Sequence, residues 1–532
     1  MGAALRAGAD PQRLLHDALQ QLRSAARPRW LDYAQAFSAL GAHPLAAALL
    51  GQAVTRWPQD AELRFRLGNA LRLSQRHSEA EREFRETLRL NPGHEPAALS
   101  LSFMLRDAGR IDAACAEMLA LWGRQGGAAE AALKAGRFLD ECGRPQWASR
   151  VYREALARTP QDPHLLAAAG DMAMVLGDFD RGRECLLAAL DGGIDARDWS
   201  GICLLLANNQ RYVSADHPDF VRFARAWDSA ASFPDSRIAA GFALGKARAD
   251  VGDFSGAVEV LRQANALQRN RRPWSAAGWR NTVEALIAAP PTPQAAGDTR
   301  LPGAPLFVVG LPRTGTTLVA ELLGRHAQVR NRGEMNWLPF LAQELTTQRR
   351  LDSPPALRRA ASIYLAQLRQ DDAAATWYLD KNPHNFRHLG LIAGLFPQAR
   401  IIHCVRERRD TALSIWSQLF AHQDVDYAYD FADIAAFADG HDRLMRHWRQ
   451  SLQLPVFELE YEQLVGQTEA TLRRLADFLG LPAEEVCNAQ QRDSVISTAS
   501  VWQARQPVHR AAVGRWRRYL PYLPELSEHF AV

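Results

Sequence analysis

The sequence predicts two unlike halves: an N-terminal all-α solenoid and a C-terminal α/β domain with a parallel sheet. Three observations carry that prediction. Through the first half, small and bulky residues recur with a 34-residue period. From Ala288 the chain reads "AAPPTPQAAGDTRLPGAP", a stretch rich in proline and small residues of the kind that separates domains. Beyond it, short β-branched runs alternate with helix-length segments, the pattern of parallel strands joined by crossovers. The chain therefore divides into 1–290, a linker over 291–304, and 305–532.

Composition narrows the function classes. A chain of 532 residues has room for several domains, each with its own core. Its 47% apolar and 23% charged residues are those of an ordinary soluble protein. A net charge of +4 is too small to argue for nucleic acid or an anionic membrane, so any anion chemistry must rest on local clusters. The six cysteines (Cys115, Cys142, Cys185, Cys203, Cys404 and Cys487) form no CxxC pair and read as buried, reduced thiols. The first thirty residues lack a continuous apolar core, and no run of eighteen apolar residues follows, so the expected location is the cytoplasm.

The period can be followed position by position. Pro58, Pro92 and Pro160 are in phase, with Gly126 in the remaining slot. Gly68, Ser102, Gly136 and Gly170 keep the same step, as do Gln75, Gly109, Gly143 and Gly177. So do the small residues Ala80, Ala114, Ala148 and Gly182, each followed four positions later by Phe84, Met118, Tyr152 or Leu186. An earlier unit fits residues 24–57; the register slips after 194 and restarts around Gly245. Small residues at two fixed places let paired helices approach closely, a bulky one fills the gap, and proline closes the unit. This pattern resembles the tetratricopeptide repeat, a helix–turn–helix that stacks into a solenoid. The resemblance implies a peptide or protein partner on the solenoid and leaves a homodimer open.

In the second half, strands are expected at 306–311, 376–381, 399–406 and 455–461. The first ends in "GLPRTGTT", with G-x-x-x-x-G spacing from Gly310 to Gly315 and a helical pattern directly after. Such glycines let successive N–H groups curl toward one anion at a helix N-terminus. A nucleoside-triphosphate loop continues with lysine and a hydroxyl residue. Here Thr316 and Thr317 follow, and Arg313 stands inside the loop, so the expected ligand is a single substituted phosphate rather than a triphosphate–metal complex. No metal is expected. Arg406 closes a further strand and Ser414 lies eight positions on, two turns up the next helix, a spacing suited to a second phosphate.

These residues resemble the sulfotransferases that use 3′-phosphoadenosine 5′-phosphosulfate, and by motif the tyrosylprotein sulfotransferases in particular. "PRTGTT" (Pro312 to Thr317) is similar to their 5′-phosphosulfate loop, and Arg406 with Ser414 to their 3′-phosphate motif. "RGEMNW" is similar to the segment with their catalytic glutamate, here Glu334, and "DKNP" to that with their lysine, here Lys381. "YEQLV" matches the stretch around a nucleotide-side tyrosine, Tyr461, while "SVWQARQPVHRAAVGRW" aligns Ser500, Pro507-Val508 and Trp516 with late family residues. The resemblance implies Glu334 as general base, with Arg313, Lys381 and Ser500 on the leaving phosphate. It also implies Pro312, Arg313, Thr314, Gly315, Thr316, Thr317, Arg406, Ser414, Tyr461 and Arg510 around the co-substrate. The plainer readings are a surface Glu334 paired with Arg330 or Arg332, an Arg406–Asp410 ion pair, and a core Tyr461. No HExxH spacing or Gly-x-Ser-x-Gly elbow offers a rival chemistry. The remaining alternatives are a phosphotransferase and a repeat scaffold with an inactive nucleotide domain. The acceptor is a hydroxyl group, with a tyrosine peptide, a carbohydrate and a lipid all open.

Overall fold

The computed structural model describes residues 10–229, 234–294, 303–370, 374–420, 423–488 and 508–530. By packing, the chain divides into two compact units, Met1–Arg144 and Pro145–Val532. That boundary falls within the repeats rather than at 291–304.

In the first unit, helices pair as the period requires: Arg27–Ala39 with His43–Arg56, Ala61–Leu73 with His77–Leu90, and Glu95–Asp107 with Ile111–Arg124. The small-then-bulky pattern has a direct cause. A Cβ on Gly68 would lie 2.7 Å from the Phe84 ring, so the ring fills the space that a side chain would take. The third in-phase position is a turn in the left-handed region: φ is +63° at Gln75 and +75° at Gly109. Glycine suits that conformation, and the glutamine is held there against its preference. Asp60 caps the Ala61–Leu73 helix, accepting from Leu63 N–H at 3.0 Å.

The second unit begins with more of the same architecture. A Cβ on Gly170 would stand 3.0 Å from the Gly182 carbonyl oxygen and 2.8 Å from Leu186, and one on Gly245 would stand 2.6 Å from Leu261. The last pair carries the restarted register, in helices Pro234–Asp250 and α1 (Phe254–Arg271). Helix α2 (Ala276–Ala288) follows.

The α/β part has five strands: β1 (Ala304–Gly310), β2 (Val329–Asn331), β3 (Trp377–Asp380), β4 (Arg400–Val405) and β5 (Val456–Glu460). Their order is β2-β3-β1-β4-β5, and every pair is parallel. Intervening helices include α3 (Thr316–Gly324), α4 (Trp337–Thr347), α5 (Pro354–Arg369), α6 (Leu389–Leu395), α7 (Arg408–Trp416), α8 (Phe431–Ser451), α9 (Tyr461–Gly466) and α10 (Thr468–Leu479). Alternation along the strands feeds two cores. Phe307, Val309 and Ile401 pack with Tyr364, Phe386 and Phe437, whereas Leu306, Val308 and Ile402 pack with Leu323 and Leu475. The first core also takes in Phe242, Leu261, Trp279 and Val283 from the preceding helices, so the sheet is covered partly by repeat-type helices. Four strands correspond to the expected ones. The edge strand β2, "VRN", is too short and too polar to leave a period in the sequence. All six cysteines are free thiols, five of them buried. Among the described residues, no helix is long and apolar enough to cross a membrane.

Candidate active site

β1 runs into the glycine loop, and α3 starts at Thr316. The loop is closed on itself: Thr314 Oγ1 donates to the Leu311 carbonyl at 2.7 Å. Gly315 has φ of +94°, and a Cβ there would lie 2.7 Å from the Tyr461 ring, so glycine is required by both backbone and space. Arg313 also sits in the left-handed region, at φ +70°, a strain of about 1 kcal/mol for a residue with a side chain. That conformation sends its guanidinium toward α7, where Nε donates to Ser414 Oγ at 3.0 Å.

Arg406, the first residue after β4, ties this region together. One terminal nitrogen donates to the Arg313 carbonyl at 3.0 Å and the other to the Ala512 carbonyl at 2.6 Å. Its guanidinium stands 4.6 Å over the Tyr461 ring, and its buried Nε has no hydrogen-bond partner. Asp410, 2% exposed at the start of α7, accepts from Gly514 N–H at 2.6 Å and Trp516 N–H at 2.9 Å. It thereby clips the C-terminal turn beside Arg406 and brings Arg515 into the same field. Burial, followed by the neighbouring Arg406 and Arg515, holds the Arg313 pKa down, to about 10, still charged at neutral pH. Burial depresses Arg406 as well. Desolvated guanidiniums this close together repel, and an anion between them relieves both costs.

The second group forms at the end of β3. Lys381, 2% exposed, pairs with Glu334 in the loop after β2, and that carboxylate is 45% exposed. Backbone bonds fix the pair: Lys381 N–H donates to the Gly333 carbonyl at 2.8 Å, and Arg332 N–H to the Leu379 carbonyl at 2.8 Å. Glu334 therefore meets Lys381 rather than Arg330 or Arg332, whose guanidiniums donate to carbonyls of Ala327 and of Leu368 and Arg369. The register Phe307↔Asp380, Gly310↔Cys404 and Val405↔Glu460 brings the loop, Lys381, Arg406 and Tyr461 out at the carboxyl ends of four parallel strands. The strand order turns around β1, with β3 and β4 on its two sides, which is where open α/β sheets hold ligands.

Three placements differ from the sequence expectation. Ser414 bonds to Arg313, not to Arg406, so the two expected anion subsites share a wall rather than standing apart. Tyr461 packs against Gly315 and under Arg406, a supporting position for the loop. Arg510, exposed, donates to the Gly466 carbonyl at 2.6 Å after α9. Pro312, Thr314 and Thr316 are buried in the loop and first turn, with Thr317 half-buried. Ser500 and Pro507 lie outside the described residues; Trp516 is buried, with Arg409 3.9 Å from its ring. Sequence reasoning missed Asp380, Asp410 and Arg515 as parts of the site. Asp410 carried a signal, an acid four residues after Arg406 at a helix start, whereas Arg515 was hidden among several arginines.

Helical repeats precede a parallel α/β fold that carries Arg313 and Arg406 at its strand ends. Comparison with known families makes this specific. Residues 305–485 match the sulfotransferase family and residues 31–95 the tetratricopeptide repeat. An uncharacterized protein of Aquifex aeolicus (strain VF5) is 32% identical over 55% of this chain and 41% of its own length. Protein-tyrosine sulfotransferase A of Caenorhabditis elegans is 24% identical over 41% of this chain and 62% of its own. The chain thus spans about two-fifths to two-thirds of the length of these relatives. Among solved structures, the sulfotransferase domain of the Synechococcus PCC 7002 olefin synthase covers 44% of this chain and 97% of its own, at 21% identity and a TM-score of 0.32.

Proposed function

We propose that the protein transfers a sulfuryl group from 3′-phosphoadenosine 5′-phosphosulfate to an acceptor hydroxyl, with a tyrosine of a peptide or protein as the acceptor. The observation that carries this reading is the Arg313–Arg406 pair, joined through the Arg313 carbonyl and flanked by Ser414, with a buried Arg406 Nε still to be satisfied. A nucleotide with phosphate groups at both ends supplies anions to both guanidiniums. The residues fit such a co-substrate: Gly310 and Gly315 let the loop fold against Cys404 and Tyr461, and the α3 N-terminus that follows favours negative charge.

In the transfer, Glu334 takes the acceptor's hydroxyl proton and the acceptor oxygen attacks sulfur. The bond from sulfur to the bridging phosphate oxygen breaks, and the charge left on that oxygen is met by Lys381 and Arg313. The Lys381–Glu334 ion pair holds the carboxylate beside the lysine at the end of β3. The repeats recruit the acceptor or a partner protein, and six free thiols suit a cytoplasmic setting.

Isothermal titration with 3′-phosphoadenosine 5′-phosphate, beside ATP with Mg²⁺, tests the reading. Binding of the bisphosphate by the wild type, weakened at least about a hundredfold in Arg406→Ala, is the expected result. Preferential binding of ATP with Mg²⁺ assigns the protein to phosphotransfer instead, and no binding of either leaves the repeats as the functional part.

A further inference from the structure

Asp380, the last residue of β3, is wholly buried at 0% exposure. Tyr364 O–H, from α5, donates to one carboxyl oxygen at 2.5 Å and Asn385 Nδ2 to the same oxygen at 2.9 Å. Met335 N–H donates to the other oxygen at 3.3 Å. Lys381 supplies the neighbouring positive charge, and Glu334 lies beyond it. A buried carboxyl group is costly to keep, and the segments that reach this one are those that carry the transfer groups. Met335 directly follows Glu334, and Asn385 belongs to the turn directly after Lys381.

We propose that Asp380 is a positioning residue for the transfer: a buried carboxylate that ties the Glu334 loop to the end of β3 and so holds Glu334 and Lys381 face to face. The inference rests on the sulfuryl-transfer reading above. Protonation matters to the tie. A carboxylate accepts all three donors, but a proton on the oxygen facing Met335 N–H sets donor against donor and releases the loop. Burial pushes the Asp380 carboxyl up to about 7, against the donors and Lys381 that pull it down, so the tie is made and broken near neutrality.

Two measurements on the full chain test this. In steady-state transfer from 3′-phosphoadenosine 5′-phosphosulfate to a tyrosine peptide, Asp380→Asn lowers kcat by about tenfold or more with little change in donor KM. It also removes the acid limb of the kcat profile near neutrality. Tyr364→Phe keeps the carboxyl but deletes a donor to its ionised form, and moves that limb to higher pH. Wild-type kcat in Asp380→Asn, or a lower kcat with an unmoved limb in both variants, overturns the proposal. Hydrogen exchange, corrected for intrinsic rates, needs no turnover. The Met335 amide opens more readily in the wild type below neutrality than above it, and in Asp380→Asn opens readily at both. An unchanged Met335 amide in a folded Asp380→Asn overturns the tie. Absence of wild-type transfer counts against the sulfuryl-transfer reading, while the exchange result still decides the role of Asp380.

Discussion

In the proposed sulfuryl transfer, Glu334 and Lys381 are the residues on which the chemistry turns, and they are separable by experiment. Glu334→Gln removes the base but leaves the donor groups, so kcat falls about 10²- to 10⁴-fold while bisphosphate affinity stays within a few-fold. Surface ion pairing alone predicts no such loss. Asp380 makes a different prediction, about stability. Burial holds its folded pKa at about 7, above the 3.8 of a free aspartate, so between those values the folded chain binds more protons than the unfolded one. Stability from this group is therefore greatest at acid pH and falls as pH rises toward neutrality. The melting temperature of the wild type relative to Asp380→Asn should drop between about pH 4 and 7 in a scanning-fluorimetry series. The opposite slope would sink the assignment. The positions of Arg313, Arg406, Glu334 and Lys381 near strand ends could be read in the sequence because recognisable turns and motifs stand there. Asp380 could not, because its neighbours Tyr364 and Met335 come from segments that only the folded sheet brings together. The Arg313–Ser414 bond was equally hidden, since spacing assigns a serine to a helix face without saying which arginine will reach it.

At the scale of helices and strands, the repeat rules that the sequence displays have energetic content. Gly68→Ala drives a methyl group to within 2.7 Å of the Phe84 ring, so it destabilises the first unit by about 1–3 kcal/mol, read as an earlier urea midpoint. Gln75→Gly should move the other way. It relieves a side chain held at φ +63° and returns up to about 1 kcal/mol, less the entropy that glycine loses on folding. A destabilised Gln75→Gly would mean that the glutamine side chain holds the turn. These helices were legible because each unit repeats one packing solution, and a period survives even where one member departs from it. β2 was not legible, because three residues at a sheet edge draw their pairing from β3 rather than from their own composition. Arg332 N–H continues that pairing to the Leu379 carbonyl, so this short strand sets where Glu334 stands.

For the molecule as a whole, a composition change and a packing boundary are different things. The proline-rich stretch after Ala288 marks where helices give way to strands, yet the core does not stop there. Trp279 of α2 stacks on Phe437 of α8 at 4.7 Å and 25°, and Trp274 meets Tyr427 edge-on at 5.9 Å. Gly440 on α8 has no side chain where Trp279 lies. Ile238, Phe242, Val258, Leu261, Trp279 and Val283 together contribute on the order of 10 kcal/mol of burial to this core. That is comparable with the whole net stability of a domain, about 5–15 kcal/mol. A fragment of residues 305–532 should therefore be insoluble or molten, exposing the faces of Phe386, Tyr427 and Phe437 to water. A fragment of 145–532, cut where the packing divides, should stay monodisperse, melt cooperatively and bind 3′-phosphoadenosine 5′-phosphate with wild-type affinity. Calorimetry and titration of the two fragments decide the matter. A well-folded, binding-competent 305–532 would show that the preceding helices are attached to the transfer domain without completing its core. The expected result would make the later repeats part of the domain's own structure, as the packing boundary at Arg144 implies.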